Sequence, residues 1–219
     1  MDKMSILNAM DYAAKMHNGQ KRKNGDDYIT HPISVANRLA KAGEDEKTQI
    51  VGLFHDLLED TKAQDEDIAK YGDDVLRSVI LLSKNRAENK KAYIDNILSD
   101  KMAKAVKNAD RIDNLTDCAA CDDLIFKIRY LSNTEEYYKG KFSKELDDLI
   151  DSVKKDITQQ AEDIKEENIR AEYKAYHSRY ILYEDGHIYI ETKYGCFKRY
   201  EDLDSFYLDF DECEIEKIK

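Results

Sequence analysis

The stretch Ile50–Thr61, IVGLFHDLLEDT, decides how the chain is read. Apolar residues at 50, 51, 53, 54, 57 and 58 repeat with the spacing of one helix face, so the sequence predicts a buried amphipathic helix over about 45–60. His55 and Glu59 are then i, i+4 neighbours, as are Asp56 and Asp60, and the four polar groups line one rim of a helix whose other side is core. Taken alone, this is what a solvated helix end with an ordinary histidine looks like. Two distant features change that. His31 stands immediately before Pro32 at the start of another helix, and Asp110 lies within NADRIDN on a helix with an apolar stripe. With His55 and Asp56 they make two imidazoles and two carboxylates, a mixed nitrogen and oxygen set suited to a divalent ion such as manganese, iron or zinc. Four protein ligands on a six-coordinate ion leave two positions for water and substrate. Ligands drawn from three helices also make a rigid site.

Outward from these residues the pattern stays helical. An apolar stripe of Ile6, Leu7, Met10, Ala13, Ala14 and His17 predicts a helix over 3–17, followed by the basic loop NGQKRKNGDDYITHP. A helix is expected from Thr30 to Gly43, and others near 64–71, 73–84, 88–99, 101–117, 122–139 and 143–175. At about 178 the period changes to two, in RYILYEDGHIYIETKYGCFKRY, with Asp185-Gly186 as a type I′ hairpin signal and SFYLDF (205–210) as a further strand. The expected architecture is mainly α: a helical bundle over 1–142, a C-terminal helix or helices over 143–177, and a tyrosine-rich antiparallel β appendage over 178–219.

Composition supports a globular chain. One proline and eight glycines in 219 residues favour long helices, and 37% charged residues imply a polar surface. The formal charge of −11 is uneven: residues 1–142 carry 23 basic against 25 acidic side chains, and 143–219 carry 12 against 21. The acidic end should repel nucleic-acid polymers and anionic membranes. No run of 18 apolar residues and no signal-peptide core occur in the sequence, which points to the cytoplasm. There Cys118, Cys121, Cys196 and Cys213 are read as free thiols; Cys118 and Cys121 form C-x-x-C without the second pair of a zinc site.

Three stretches, AAKMHNGQKRKNGDDYITHPISVANRLAKAG (13–43), GLFHDLLEDT (52–61) and VKNADRIDNLTD (106–117), carry a resemblance. They resemble the hydrolase domain of the Rel/SpoT alarmone enzymes, and in size the chain is similar to the small alarmone hydrolases of the same HD superfamily. The likeness covers about residues 5–140. An HD pair alone says little, whereas H-x-G-Q-x-R-K-x-G, Y-I-x-H-P, H-D-x-x-E-D-T and A-D-R-x-x-N in this order are specific. The resemblance implies an HD-domain helical bundle in which His31, His55, Asp56 and Asp110 ligate one metal, usually Mn²⁺. It implies that Glu59 and Asp60 hold and deprotonate the attacking water. It puts Arg22, Lys23 and Asn24 in the loop that meets the guanine and phosphates, Asn114 at the sugar, and, more loosely, Arg129 on a further substrate-contacting helix. The implied reaction is hydrolysis of the 3′-pyrophosphate of (p)ppGpp to GDP or GTP and pyrophosphate.

The chain departs from the family pattern at Asn24, Asp27, Asn108 and Asp113, where serine, proline, leucine and histidine are usual. The change at 113 is discounted here; the others bear on which nucleotide is bound. Rival substrates are an adenosine alarmone, the 2′-phosphate of NADPH or a nucleoside triphosphate. A rival of another class is a nucleotide- or protein-binding module such as an antitoxin, with the β appendage serving a protein partner or self-association. The 42 residues of the appendage are too few for the synthetase domain that follows the hydrolase in Rel/SpoT enzymes. His17 is read as a core-edge histidine bonded to a backbone carbonyl. Lys107 and Arg111 are read as an exposed helix face, His177 and His187 as surface residues, and the appendage tyrosines as a small core.

Overall fold

The structure, a computed structural model, describes residues 5–161, 169–175, 178–183, 187–200 and 216–217. Two compact units are present: residues 1–123 with 132–150, and residues 124–131 with 151–219. The mainly helical chain with a small C-terminal antiparallel sheet matches the architecture expected from the sequence. No helix among the described residues is long and apolar enough to cross a membrane.

The first unit is built on α1 (Ile6–Met16), α2 (Thr30–Lys41), α3 (Glu46–Phe54), α4 (Leu57–Asp60), α5 (Asp65–Ala69), α6 (Asp73–Leu82), α7 (Lys90–Ser99) and α8 (Lys101–Ala120). α9 (Leu124–Tyr138) and α10 (Lys144–Thr158) each contribute to both units. The core is apolar in the expected positions: Ala9 and Ala13 of α1, Val35 and Leu39 of α2, Ile50, Val51, Leu53 and Phe54 of α3, and Val106 and Leu115 of α8 are buried. α2 packs on α3, and both pack on α8.

Local chemistry fixes where these helices start and stop. Asp45 caps α3 by accepting from the Thr48 N–H at 2.9 Å. α2 ends before Gly43, whose φ of 78° a side chain would strain. Pro32 sits in the first turn of α2, where its missing N–H leaves no helical bond unmade. Gly52 lets α2 and α3 approach: a Cβ there would lie 2.7 Å from Leu39 Cδ1.

The helix expected over 45–60 is broken. α3 stops at Phe54 and the four-residue α4 starts at Leu57. His55 Nδ1 donates to the Gly52 carbonyl at 2.7 Å, taking the acceptor that a continuous helix would offer the Asp56 N–H. The common rim drawn from i, i+4 spacing is therefore not how these groups meet: His55 is buried and Asp60 is exposed.

The second unit contains β1 (Ile169–Ala175), β2 (Ser178–Tyr183), β3 (Ile188–Thr192), β4 (Gly195–Tyr200) and β5 (Glu216–Lys217), in the antiparallel order β4-β3-β2-β1-β5. Tyr180, Tyr189, Tyr194 and Tyr200 are buried with Ile188, Ile190 and Phe197, as a small core requires. Arg179 ties three strands together, bonding Glu172 at 2.8 Å and Glu191 at 2.8 Å. The helix expected to run to 175 ends at Thr158, and β1 takes 169–175. Ile169, Ala171, Tyr173 and Ala175 alternate with charged residues, but Ala, Glu and Lys also favour helix, and only pairing with β2 decides between the two. The β2–β3 hairpin forms in register, Tyr180 opposite Ile190. Its turn Asp185-Gly186, the strand expected at 205–210, Cys213, His177 and Tyr207 lie outside the described residues.

Asp100 caps α8, the helix that carries Asp110. Its carboxylate accepts from the Ala103 N–H (2.9 Å), the Ser78 hydroxyl (2.9 Å) and the Arg77 guanidinium (3.0 Å). Burial alone would raise its pKa, but these donors outweigh it and hold the carboxyl below its usual value. The stabilisation is present above the unfolded pKa of about 3.9 and disappears as pH falls through the lower folded value. Asp100→Ala should cost about 2 kcal/mol in urea unfolding at pH 7, with the difference from wild type shrinking as pH falls below about 4.

Candidate active site

The first unit brings together residues that are far apart in sequence. His31 is the second residue of α2, His55 and Asp56 form the break between α3 and α4, and Asp110 lies mid-way along α8. The imidazoles of His31 and His55 stand edge to face, ring centroids 5.1 Å apart. Asp110 Oδ1 is 3.2 Å from His31 Nε2 and 3.7 Å from His55 Nε2. Asp56 Oδ2 is 3.0 Å from His55 Nε2 and 3.8 Å from His31 Nε2. One ligand atom each from His31, His55 and Asp110 lies within 4.8 Å of the others. Asp56 reaches the same two nitrogens.

Both Nε2 atoms are buried and neither makes a hydrogen bond. Their roles follow from what the opposite nitrogens do. The Gly52 carbonyl can only accept, so His55 Nδ1 carries its proton, and neutral His55 presents a bare lone pair at Nε2. Two bare nitrogens facing two carboxylates fit a divalent cation. Asp56 and Asp110 are themselves held: the Tyr28 hydroxyl donates to Asp56 Oδ2 at 2.5 Å, Asn114 Nδ2 donates to Asp110 Oδ1 at 2.5 Å, and Lys107 Nζ pairs with Asp110 Oδ2 at 2.8 Å. Burial opposes charge on His55, but Asp56 and Asp110 outweigh it and push its pKa up to about 10. Protons and a divalent ion thus compete for the same lone pairs.

Lys107 and Arg111 overturn their assignment to an exposed helix face. Both are buried, Lys107 beside Tyr93 and paired to Asp110, Arg111 with its guanidinium 4.3 Å from the Tyr138 ring centre. A carboxylate and two tyrosines make burial of these cations tolerable, and none of those contacts is visible in local sequence.

The acid pair divides. Glu59 accepts from the Lys84 backbone N–H with one oxygen and pairs with the Lys84 ammonium at 3.3 Å with the other. Partial burial of the Asp60 carboxyl and the negative charges of Asp56 and Glu59 raise its pKa. His17 is buried as expected, but its Nδ1 bonds the Gln20 side chain at 2.7 Å rather than a backbone carbonyl, and Gln20 in turn donates to the Asp60 carbonyl at 2.6 Å.

In the basic loop, Arg22 turns back onto α8. It bonds Asp113 at 3.1 Å, Asp117 at 2.8 Å and Asn114 at 3.5 Å. Asn24 closes a turn within the loop with Asp26, and Lys23 is exposed. Arg129 is exposed on α9, in the part belonging to the second unit. Sequence reasoning missed Tyr28, Ser34 and Asp113 as members of the site. Tyr28 could have been found from its place in Y-I-x-H-P; Asp113 was visible only as a departure. Cys121 and Cys196 are free thiols, and Cys118 is buried.

A family model described as HD domain matches residues 9–129, more than half of the chain. The chain belongs to the HD-domain family. A guanosine-3′,5′-bis(diphosphate) 3′-pyrophosphohydrolase of Aquifex aeolicus is 37% identical over 119 residues, covering 50% of this HD-domain chain and 17% of the relative. The protein of that name from Borreliella burgdorferi is 44% identical over 79 residues, 36% of this chain and 12% of the relative. A GTP pyrophosphokinase of Streptomyces coelicolor is 32% identical over 151 residues, 64% of this chain and 17% of the relative. The chain thus spans less than a fifth of the length of these curated relatives. A solved structure described as a metazoan ortholog of SpoT that hydrolyzes ppGpp and plays a role in starvation responses matches with a TM-score of 0.53 and 25% identity, covering 69% of this chain and 94% of that one.

The buried Lys107–Asp110 pair gives a test of the site's charge balance. Lys107→Met removes the lysine partner of buried Asp110 and should destabilise the metal-free protein by roughly 3 kcal/mol in denaturant unfolding. A divalent ion should then raise the variant's melting temperature more than that of wild type.

Proposed function

We propose that the chain is a metal-dependent hydrolase of guanosine alarmones, removing the 3′-pyrophosphate of (p)ppGpp to give GDP or GTP and pyrophosphate. The observation that carries this reading is the pair of buried, bare Nε2 atoms of His31 and His55 turned to a centre shared with Asp56 and Asp110. Those four residues would hold the ion, with Mn²⁺ the proposed metal. A bound divalent ion supplies positive charge for phosphate oxygens and lowers the pKa of water. The chain's own residues do the rest. Asp60, with its raised pKa, takes the proton of the attacking water. Glu59, anchored by Lys84, serves as an orienting group. Arg22, Lys23, Asn24 and Asn114 are the proposed nucleotide contacts, on the strength of the family pattern. A cytoplasmic setting supplies such a substrate.

One observation favours a second reading in which the nucleotide differs. Arg22 is engaged by Asp113 and Asp117, and Asn24 by its own turn, so two of the groups expected to meet the guanine are already bonded within the protein. An adenosine alarmone, NADPH or a nucleoside triphosphate would then be the substrate of the same chemistry.

Purified protein with Mn²⁺ should release pyrophosphate and GDP from ppGpp, read by anion-exchange chromatography, and His55→Ala should abolish this. Turnover of another nucleotide in place of ppGpp selects the second reading. Bound metal with no turnover of any of them sinks both. Asp60→Asn should lower kcat by about 10²–10⁴, and Glu59→Gln by less. Because the Asp60 pKa is raised, wild-type kcat should fall on acidification through a pH above the ordinary carboxylate value of about 3.9.

A further inference from the structure

Asp113 stands where the family pattern has histidine, and it contacts a metal-site residue directly. Its Oδ2 lies 2.7 Å from His31 Nδ1. The same oxygen accepts from Arg22 Nη1 at 3.1 Å, and Oδ1 accepts from the Ser34 hydroxyl. Asp113 is buried in the first unit, three residues along α8 from Asp110. A carboxylate with donors on both oxygens can only accept, so the His31 Nδ1 must carry the proton. The lone pair of neutral His31 is then at Nε2, the buried atom that makes no hydrogen bond and faces Asp110 and Asp56.

The two imidazoles are therefore oriented by different means. His55 is held by a backbone carbonyl of its own helix, the Gly52 oxygen. His31 is held by a carboxylate from another helix, whose own position is fixed by Ser34 on α2 and Arg22 in the basic loop. A carboxylate raises the basicity of the ligating nitrogen more than a neutral carbonyl does.

We propose that Asp113 is a positioning residue that fixes the tautomer and direction of His31 and strengthens it as a metal ligand, with Ser34 and Arg22 holding Asp113 in place. It does not touch the ion or the substrate. The proposal rests on the metal-site reading above but not on which nucleotide is hydrolysed.

Mn²⁺ binding to the full chain, measured by competition with a chromophoric chelator, tests it. Asp113→Asn should weaken Mn²⁺ affinity by about 10–100-fold, the range for loss of a carboxylate behind a ligating histidine. Asp113→Glu should recover part of that loss. Arg22→Gln removes one of the two donors that hold Asp113 but leaves the His31–Asp113 bond, so it should weaken the affinity less than Asp113→Asn does. Saturating Mn²⁺ should restore most of the turnover of Asp113→Asn, moving the metal requirement rather than kcat. An affinity for Asp113→Asn equal to wild type, or equal losses in Asp113→Asn and Arg22→Gln, overturns the proposal. Should Asp113→Asn fail to fold, the wild type decides: in the Zn²⁺-loaded protein, long-range ¹H–¹⁵N spectra should show the His31 proton on Nδ1. A proton on Nε2 overturns the proposal, as does a wild type that binds no metal. Intact binding with no alarmone turnover overturns only the substrate assignment.

Discussion

The structure depends on keeping four charge-bearing side chains together away from water. Two carboxylates and two imidazoles around one centre would repel or be driven to neutrality unless each were held by a group of fixed direction. Here every one is. Gly52 holds His55, Asp113 lies against His31, Tyr28 donates to Asp56, and Lys107 with Asn114 donates to Asp110. The helices that supply these contacts are the ones whose packing forms the core of the first unit, so the fold and the site are one construction. The close approach of α2 and α3 at Gly52 sets the separation of the two imidazoles, and the break after Phe54 turns Asp56 toward them.

Much of this was legible in the sequence, for physical reasons. The apolar spacing of Ile50 to Leu58 reports burial whichever way the helix later bends. His31, His55, Asp56 and Asp110 stand out in the sequence because a histidine before proline, an HD pair and an aspartate on a striped helix are rare in combination on apolar elements, and the fold brings these four side chains close together. Less legible were features decided by partners distant in sequence. The break at His55 comes from a side chain capturing a backbone carbonyl, which periodicity cannot register. Lys107 and Arg111 look exposed in any local window, and only Tyr93, Tyr138 and Asp110 account for their burial. The alanines, glutamate and lysine of β1 suit a helix, and only its pairing with β2 makes it a strand.

The departures from the family pattern have consequences of different kinds. Asp113 enters the network behind His31 and at the same time draws Arg22 onto α8. Asp113 thus links the orientation of a proposed ligand with the conformation of the basic loop. Asn24 and Asp27 act locally, closing the loop through Asp26 and Lys21.

The central claim is that His31, His55, Asp56 and Asp110 hold one ion. A crystal of the protein grown with Mn²⁺ and measured at a wavelength with manganese anomalous signal tests it directly. The account predicts one anomalous peak within coordination distance of His31 Nε2, His55 Nε2 and both carboxylates. A peak bound elsewhere, with those two nitrogens left facing no ion, would contradict it.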